Sequence, residues 1–390
     1  MDYNKRALEM HEKYKGKIEI KSKMPLDNQD DLATAYTPGV AEPCRAIAKN
    51  PSDVYKYTSK GNMVAVISDG SAVLGLGNIG PEAAIPVMEG KAILFKSFAN
   101  VDAFPICLKS QDVDTIVETI YQIAPVFGGI NLEDISSPRC VEIERKLKAL
   151  LDIPVFHDDQ HGTAIVVSAA LINALKLVSK SIESVRIVIN GAGSAGNAIA
   201  RMLIDLGAKN ILTCDRNGIL SSNEPQNNWV KDEIALLTNP EKKTGSLADA
   251  MEGADVFIGV SSKDAVNENM VRSMNVDAIV FAMANPDPEI MPDLALGAGA
   301  RIVGTGRSDF ANQINNVLAF PGIFRGALDA RATDINEAMK TAAVYAIANL
   351  VRDDELSEDY IIPGALDESI SSAVSRAVYD AAIASGVGTL

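Results

Sequence analysis

Residues 185–196, V-R-I-V-I-N-G-A-G-S-A-G, restrict the possible folds of this chain more than any other stretch. A β-rich run, V-R-I-V-I, feeds, through one asparagine, into G-x-G-x-x-G. Residues 195–206 then carry apolar positions at helical spacing. A strand that turns over glycines into a helix is the βα unit of a parallel sheet, with backbone N–H groups and the helix N-terminus facing a pyrophosphate. A second strand is expected at 210–214, and Asp215 closes it roughly 20 residues beyond the first glycine, where an acid can accept hydrogen bonds from a ribose. Gly191, Gly193, Ser194, Ala195, Gly196 and Asp215 are therefore expected to hold a dinucleotide. An acid at 215 favours the 2′-hydroxyl of NAD over the 2′-phosphate of NADP, although the neighbouring Arg216 could accept a phosphate.

The same glycine pattern recurs at Gly75-Leu-Gly77-Asn-Ile-Gly80, without that setting. Seven residues separate it from the β-rich run 63–67, and Pro81 and Pro86 are expected to interrupt any long helix after it. These glycines are expected to allow a turn or a close backbone approach beside the site.

Other short β-rich runs lie at 104–108, 153–156, 255–260, 278–282 and 300–303, with helical stretches between them. Ser137-Pro138 reads as a helix start with serine as the cap, and a long helix is expected over 163–178. Strands alternating with helices imply mainly parallel sheets covered by helices, hence an α/β protein. At 390 residues the chain has room for two domains.

A formal net charge of −15 argues against nucleic acid or an anionic membrane as partner. The N-terminal residues are charged throughout, and the longest nearly apolar run, 163–175, is too short to span a bilayer. Four scattered cysteines with no C-x-x-C pair suit reduced thiols. A cytoplasmic protein is expected.

Two acidic pairs follow strand-like runs: Glu133-Asp134 after G-G-I-N-L and Asp158-Asp159 after I-P-V-F-H. If those strands are neighbours, the carboxylates converge at one sheet edge and repel one another unless a cation intervenes. Oxygen ligands of this kind suit Mg²⁺ or Mn²⁺. Two other readings stand beside this one: an acidic cluster without metal, and zinc held by His157 and His161. Against zinc, D-D-Q followed by Gly162 does not read as a helix that would align the two histidines.

Several short motifs follow one another along the chain: Tyr36-Thr-Pro-Gly-Val, Asp69-Gly-Ser-Ala-Val-Leu-Gly-Leu-Gly-Asn-Ile-Gly, Met88-Glu-Gly-Lys91, Asn131-Leu-Glu-Asp134, His157-Asp-Asp-Gln-His-Gly-Thr163, Phe281-Ala-Met-Ala-Asn285-Pro and Asn315-Asn316-Val. In this order they resemble malic enzymes in their short microbial form, over nearly the whole length. The resemblance implies oxidative decarboxylation of L-malate to pyruvate and CO₂, with reduction of NAD or NADP and a need for Mg²⁺ or Mn²⁺. It implies Glu133, Asp134 and Asp159 as metal ligands, Lys91 as general base, Tyr36 as general acid and Asp158 as an acid–base helper. Asn285 and Asn316 correspond to side chains that contact the substrate carboxylate or the nicotinamide region. The implied organisation is an N-terminal malate- and metal-binding α/β domain over 1–160, then a Rossmann-type dinucleotide-binding domain over 161–390 whose C-terminal helices pack back.

Without the resemblance, these residues have plainer readings: a turn-anchoring Tyr36, a solvated Lys91, a turn at Asn285 and a helix cap at Asn316. Two other functions also fit a dinucleotide site, a metal-independent 2-hydroxy or amino acid dehydrogenase and a catalytically inactive regulator. One departure from the family stands out. Larger malic enzymes carry a substrate-gripping arginine in the segment that here reads Asp69-Gly-Ser-Ala72. Backbone amides at 75–80, Lys96 or a partner chain would have to replace it, and a homodimer or higher homo-oligomer with a shared site is expected.

Overall fold

The computed structural model describes residues 3–389. Strands β1 (Met63–Ser68), β2 (Asp102–Cys107), β3 (Gly129–Leu132) and β4 (Val155–His157) form a parallel sheet in the order β2-β1-β3-β4. The second sheet has the order β10-β9-β8-β5-β6-β7. It comprises β5 (Arg186–Asn190), β6 (Asn210–Asp215), β7 (Gly218–Ile219), β8 (Val256–Gly259), β9 (Ala278–Ala282) and β10 (Ala300–Thr305). Only β7 is antiparallel among its strands. The expected α/β class is therefore observed. β4 starts two residues later than the β-rich run suggests, and Pro154 contributes only its carbonyl, which accepts from the Ile130 N–H at 2.8 Å.

Three local expectations fail for identifiable reasons. The helix expected from 163 begins at Asp158 and runs to Leu177, because two carboxylates in its first turn suit the positive end of the helix dipole. It is apolar on all sides and buried along most of its length, as such a pattern requires. The expected domain division at 160 falls inside it. Pro81 and Pro86 do not break the helix Pro81–Ala99. Pro81 stands at the first position, where no N–H is needed. Pro86 removes only a bond to Glu82, which is exposed in the first turn, where water can replace it. Finally, Ser137 does not cap the helix Arg139–Leu150, since Pro138 takes the cap position without a side-chain bond.

One core runs through both sheets. It joins Val64, Val66 and Phe95 on one side to Ile187, Ile258 and Phe281 on the other. Phe95 packs edge-on against Phe320 and Phe324, with ring centroids 4.7 and 5.2 Å apart. The helix Phe320–Asp329 is thereby fastened to the first sheet's helix layer, and Ser369–Ala384 packs on it and on Glu337–Ala348. The C-terminal helices thus pack back on the helices Pro81–Ala99 and Asp158–Leu177. In contrast, the helices Tyr3–Tyr14, Gln29–Ala35 and Ala41–Lys49 bury none of their residues. Among the described residues no helix is long and apolar enough to cross a membrane.

Candidate active site

Strands β1, β3 and β4 end side by side, with Ile67 opposite Leu132 and Leu132 opposite His157. The residues that follow them, Asp69, Glu133-Asp134 and Asp158-Asp159, therefore emerge at one sheet edge, where α/β proteins place their ligands. One carboxylate oxygen from each of Glu133, Asp134 and Asp159 lies within 4.8 Å of the others. Asn131, two residues before Glu133 and so on the same strand face, donates from Nδ2 to Glu133 Oε2 at 2.9 Å. The Asp134 N–H donates to Asp159 Oδ2 at 2.8 Å, and Asp134 itself sits in the left-handed region at φ 53°. A set of hard oxygen donors this close together fits Mg²⁺ or Mn²⁺.

The histidines do not complete the cluster. His161 Nε2 lies 2.9 Å from Glu144 Oε2, and Lys340 Nζ lies 3.3 Å from His161 Nδ1. His157 is fully buried, with its Nδ1 3.9 Å from Asp159 Oδ2. Burial holds both rings below the usual imidazole range. Among the described residues, no histidine or cysteine joins the carboxylate group.

Lys91, in mid-helix and 8% exposed, bridges the cluster. Its Nζ lies 2.6 Å from Asp158 Oδ2, 2.9 Å from Glu133 Oε1 and 4.2 Å from the centre of the Phe320 ring. Burial would lower its pKa, but Asp158 and then Glu133 outweigh that effect and raise it. Burial likewise pushes Asp158 up to about 8 against the pull of Lys91, and raises Glu133 and Asp159. Burial is the main cause for the three carboxylates, with repulsion from Asp159 adding to it at Glu133 and from Glu133 and Asp159 at Asp158, whereas for Lys91 the neighbouring carboxylates outweigh burial. Lys91 is thus held as an ammonium by this cluster, and it becomes a base only when a carboxylate partner takes up its proton.

A cleft of about 760 Å³ opens above this cluster. Lys91, Glu133, Asp134, Asp159, Ser194, Ala195, Asn285 and Asn316 all line it. Asn315 also lines it, but its side chain caps the next turn, accepting from the Val317 N–H at 2.9 Å. Gly75 of the first glycine motif approaches so closely that a Cβ there would lie 2.6 Å from the Asn285 carbonyl. The close approach expected of that motif is observed, between the two halves of the cleft.

A second cavity continues past Ser261, which borders both. Gly191, Gly193, Asp215, Arg216 and Lys231 line it. Gly196 lies beneath, where a Cβ would be 1.8 Å from the Gly191 carbonyl. That contact lets the helix Ser194–Asp205 start directly on the turn, while Gly193 faces open space. Such a cradle fits a pyrophosphate. Asp215 already accepts from Lys231 Nζ at 2.6 Å and from the Asn217 N–H at 2.8 Å.

Tyr36 is the one expected catalytic residue outside this assembly. It ends the helix Gln29–Ala35, is 68% exposed and does not line the cleft. Lys96 is occupied at the far end of its helix by Asp102 at 2.8 Å and Asn100 at 2.7 Å. Several residues of the site carry no local sequence signal: Glu144, Lys231, Lys17 in the cleft wall, and Glu289. The last is buried and accepts from the Ser261 and Ala284 N–H groups at 2.8 and 3.0 Å, tying two cleft loops together.

Comparison with known proteins agrees with this geometry. Residues 15–148 match the family described as "Malic enzyme, N-terminal domain" and residues 160–383 the one described as "Malic enzyme, NAD binding domain". The chain is 59% identical to the "Bifunctional malic/malolactic enzyme" of Bacillus subtilis, over 100% of this chain and 95% of that protein. It is 57% identical to the "NAD-dependent malic enzyme" of Geobacillus stearothermophilus, covering 95% and 78% of the two chains. The "NADP-dependent malic enzyme" of Halomonas elongata is 49% identical over 98% and 94%. Among solved structures, the NAD-dependent malic enzyme of Thermotoga maritima superimposes with a TM-score of 0.92 at 51% identity, covering 96% and 98%.

Proposed function

This chain belongs to the malic enzyme family, and from that premise we propose that it oxidises L-malate with NAD or NADP to pyruvate and CO₂ in the cleft described above. The observation that carries the reading is that Lys91, the three clustered carboxylates, Asn285, Asn316 and the start of the dinucleotide helix line one cavity. Dehydrogenation alone needs no such carboxylate cluster.

Glu133, Asp134 and Asp159 would hold Mg²⁺ or Mn²⁺, which supplies polarisation of the substrate C2 oxygen and stabilises negative charge as CO₂ leaves. Lys91 takes the C2 hydroxyl proton. Asp158, at 2.6 Å and with its pKa pushed up to about 8, is the group to which the ammonium can first yield its own proton. Asn285 and Asn316 orient the substrate and the nicotinamide. Gly191, Gly193, Ser194, Ala195 and Gly196 receive the pyrophosphate. Asp215 accepts from the adenosine ribose, which favours NAD, and Lys231 and Arg216 beside it set how well NADP competes.

Tyr36 is the proton donor to C3 of the product. Its exposure, with three N-terminal helices that bury nothing, supports a homodimer in which this segment packs on a second copy and brings Tyr36 to a cleft. The four free cysteines accord with a cytoplasmic setting.

Dinucleotide reduction followed by absorbance with L-malate and Mn²⁺, before and after chelation, tests the reading. Reduction that needs the cation and yields matching pyruvate is expected. Reduction indifferent to the chelator and without pyruvate would replace it with a simple dehydrogenase.

A further inference from the structure

Among the described residues, more carboxylates than ammonium groups line the cleft. Lys91 pairs with Glu133 and Asp158, and Asp134 and Asp159 add further carboxylates beside them before a dicarboxylate arrives. The segment 69–72 offers no arginine. Arg139 is nearby but spent, with Nη2 3.0 Å from Asp69 Oδ2 and 2.9 Å from Ser136 Oγ, and Nη1 on the Gln111 carbonyl.

Among the described residues only one other cationic side chain lines the cleft, Lys17. Its backbone N–H donates to Glu89 Oε2 at 2.9 Å, which fixes the segment against the helix Pro81–Ala99. Its ammonium donates to the Pro86 carbonyl at 2.6 Å, about one and a half helical turns before Lys91. It lies over Gly90, where an added Cβ would be 3.6 Å from Nζ, so the absence of a side chain at 90 leaves it room. The Glu89 carboxylate acts on this ammonium through space and its oxygen serves the backbone N–H, while the direct partner of Nζ is a neutral carbonyl. The residue is otherwise exposed, so the ammonium can be reached from the cleft.

We propose that Lys17 is the substrate-binding cation that receives the second carboxylate of the substrate, the one lost as CO₂. The inference rests on the reading of the substrate as malate. Exchanging a carbonyl partner for a carboxylate gives a charge-assisted bond. A single ammonium at that end favours dicarboxylic over monocarboxylic 2-hydroxy acids. It also keeps the departing group at a fixed place relative to Lys91, because both lysines are anchored on one helix.

The test is calorimetric binding to the full chain with Mn²⁺ and the reduced dinucleotide, so that no turnover occurs. The probes are L-malate and L-lactate, which lacks the second carboxylate. Lys17→Ala is expected to weaken malate by ~10- to 100-fold and leave lactate unchanged, and Lys17→Arg to restore most of the loss. Malate affinity unchanged by Lys17→Ala overturns the proposal, as does equal weakening of both acids or wild-type protein that does not bind malate. Malate that binds in a Lys17-dependent way to wild-type protein that fails to turn it over supports this assignment and refutes the proposed reaction.

Discussion

At Gly162 an added Cβ would lie 1.9 Å from Asp158 Oδ1 and 3.2 Å from the Asn316 Cβ. Two effects of Gly162→Ala oppose each other there. Alanine in a helix interior is ordinarily better than glycine by about 1 kcal/mol, whereas a contact of that length must displace a buried carboxylate and costs about 1–3 kcal/mol. The overlap wins. We expect a modest loss of stability and a fall in kcat of ~100-fold or more, because Asp158 can no longer stand beside Lys91. Thermal melts and steady-state kinetics check both parts, and an active, stabilised alanine variant would show that the Lys91–Asp158 pair is dispensable. The same glycine makes the motif hard to read locally. It suggests that no helix starts there, yet it is present because the helix brings Asp158 beneath it.

The acidic pairs become a site through the elements that carry them, since β1, β3 and β4 are adjacent and in register at their ends. That convergence has a pH signature. Asp158 has an ordinary carboxylate pKa when unfolded and about 8 when folded, and Glu133 and Asp159 are raised as well. The metal-free native state therefore binds more protons than the unfolded chain above the ordinary carboxylate range. Its stability falls as pH rises toward about 8, the reverse of the usual salt-bridged carboxylate. Melting temperatures of metal-free protein are expected to drop between pH ~5.5 and ~8, with a shallower slope in Asp158→Asn. Added Mn²⁺ should stabilise most at the upper end, where protons no longer compete for the ligands. A slope identical in wild type and Asp158→Asn would mean that Asp158 is not the strained acid.

Across the whole molecule the discordant residue is Tyr36. Apart from Lys96, the other residues expected to act on substrate, metal or dinucleotide lie in or beneath the two continuous cavities, while Tyr36 is exposed on a segment without buried residues. Mixing Tyr36→Phe and Lys91→Ala subunits tests the shared site. If Tyr36 serves the partner's cleft, each mixed dimer has one cleft lacking both groups and one intact. Half of the wild-type activity per mixed dimer is then expected. No recovery would place Tyr36 in the cleft of its own chain.

The sequence alone was enough to identify the parallel α/β class, the strand–glycine turn–helix at 186–205 and the acidic pairs at 133–134 and 158–159, because each depends on neighbouring residues and on a backbone period of two or 3.6. Asn131 was legible in principle by the same period. Other features needed the tertiary structure. Glu144, Lys231 and Glu289 act on partners distant in sequence, and no local pattern marks a buried acid whose hydrogen bonds come from another loop. Pro86 inside a helix and the early start of the helix at Asp158 were decided by packing and by the helix dipole overriding local propensity. The assignment of charges was tertiary too. Lys91 faces carboxylates from two strand ends, Lys96 faces Asp102, and Lys17 bonds a carbonyl with Glu89 acting on it through space. In the sequence these are three similar lysines, because electrostatic energy depends on distance and burial, and the fold alone sets both.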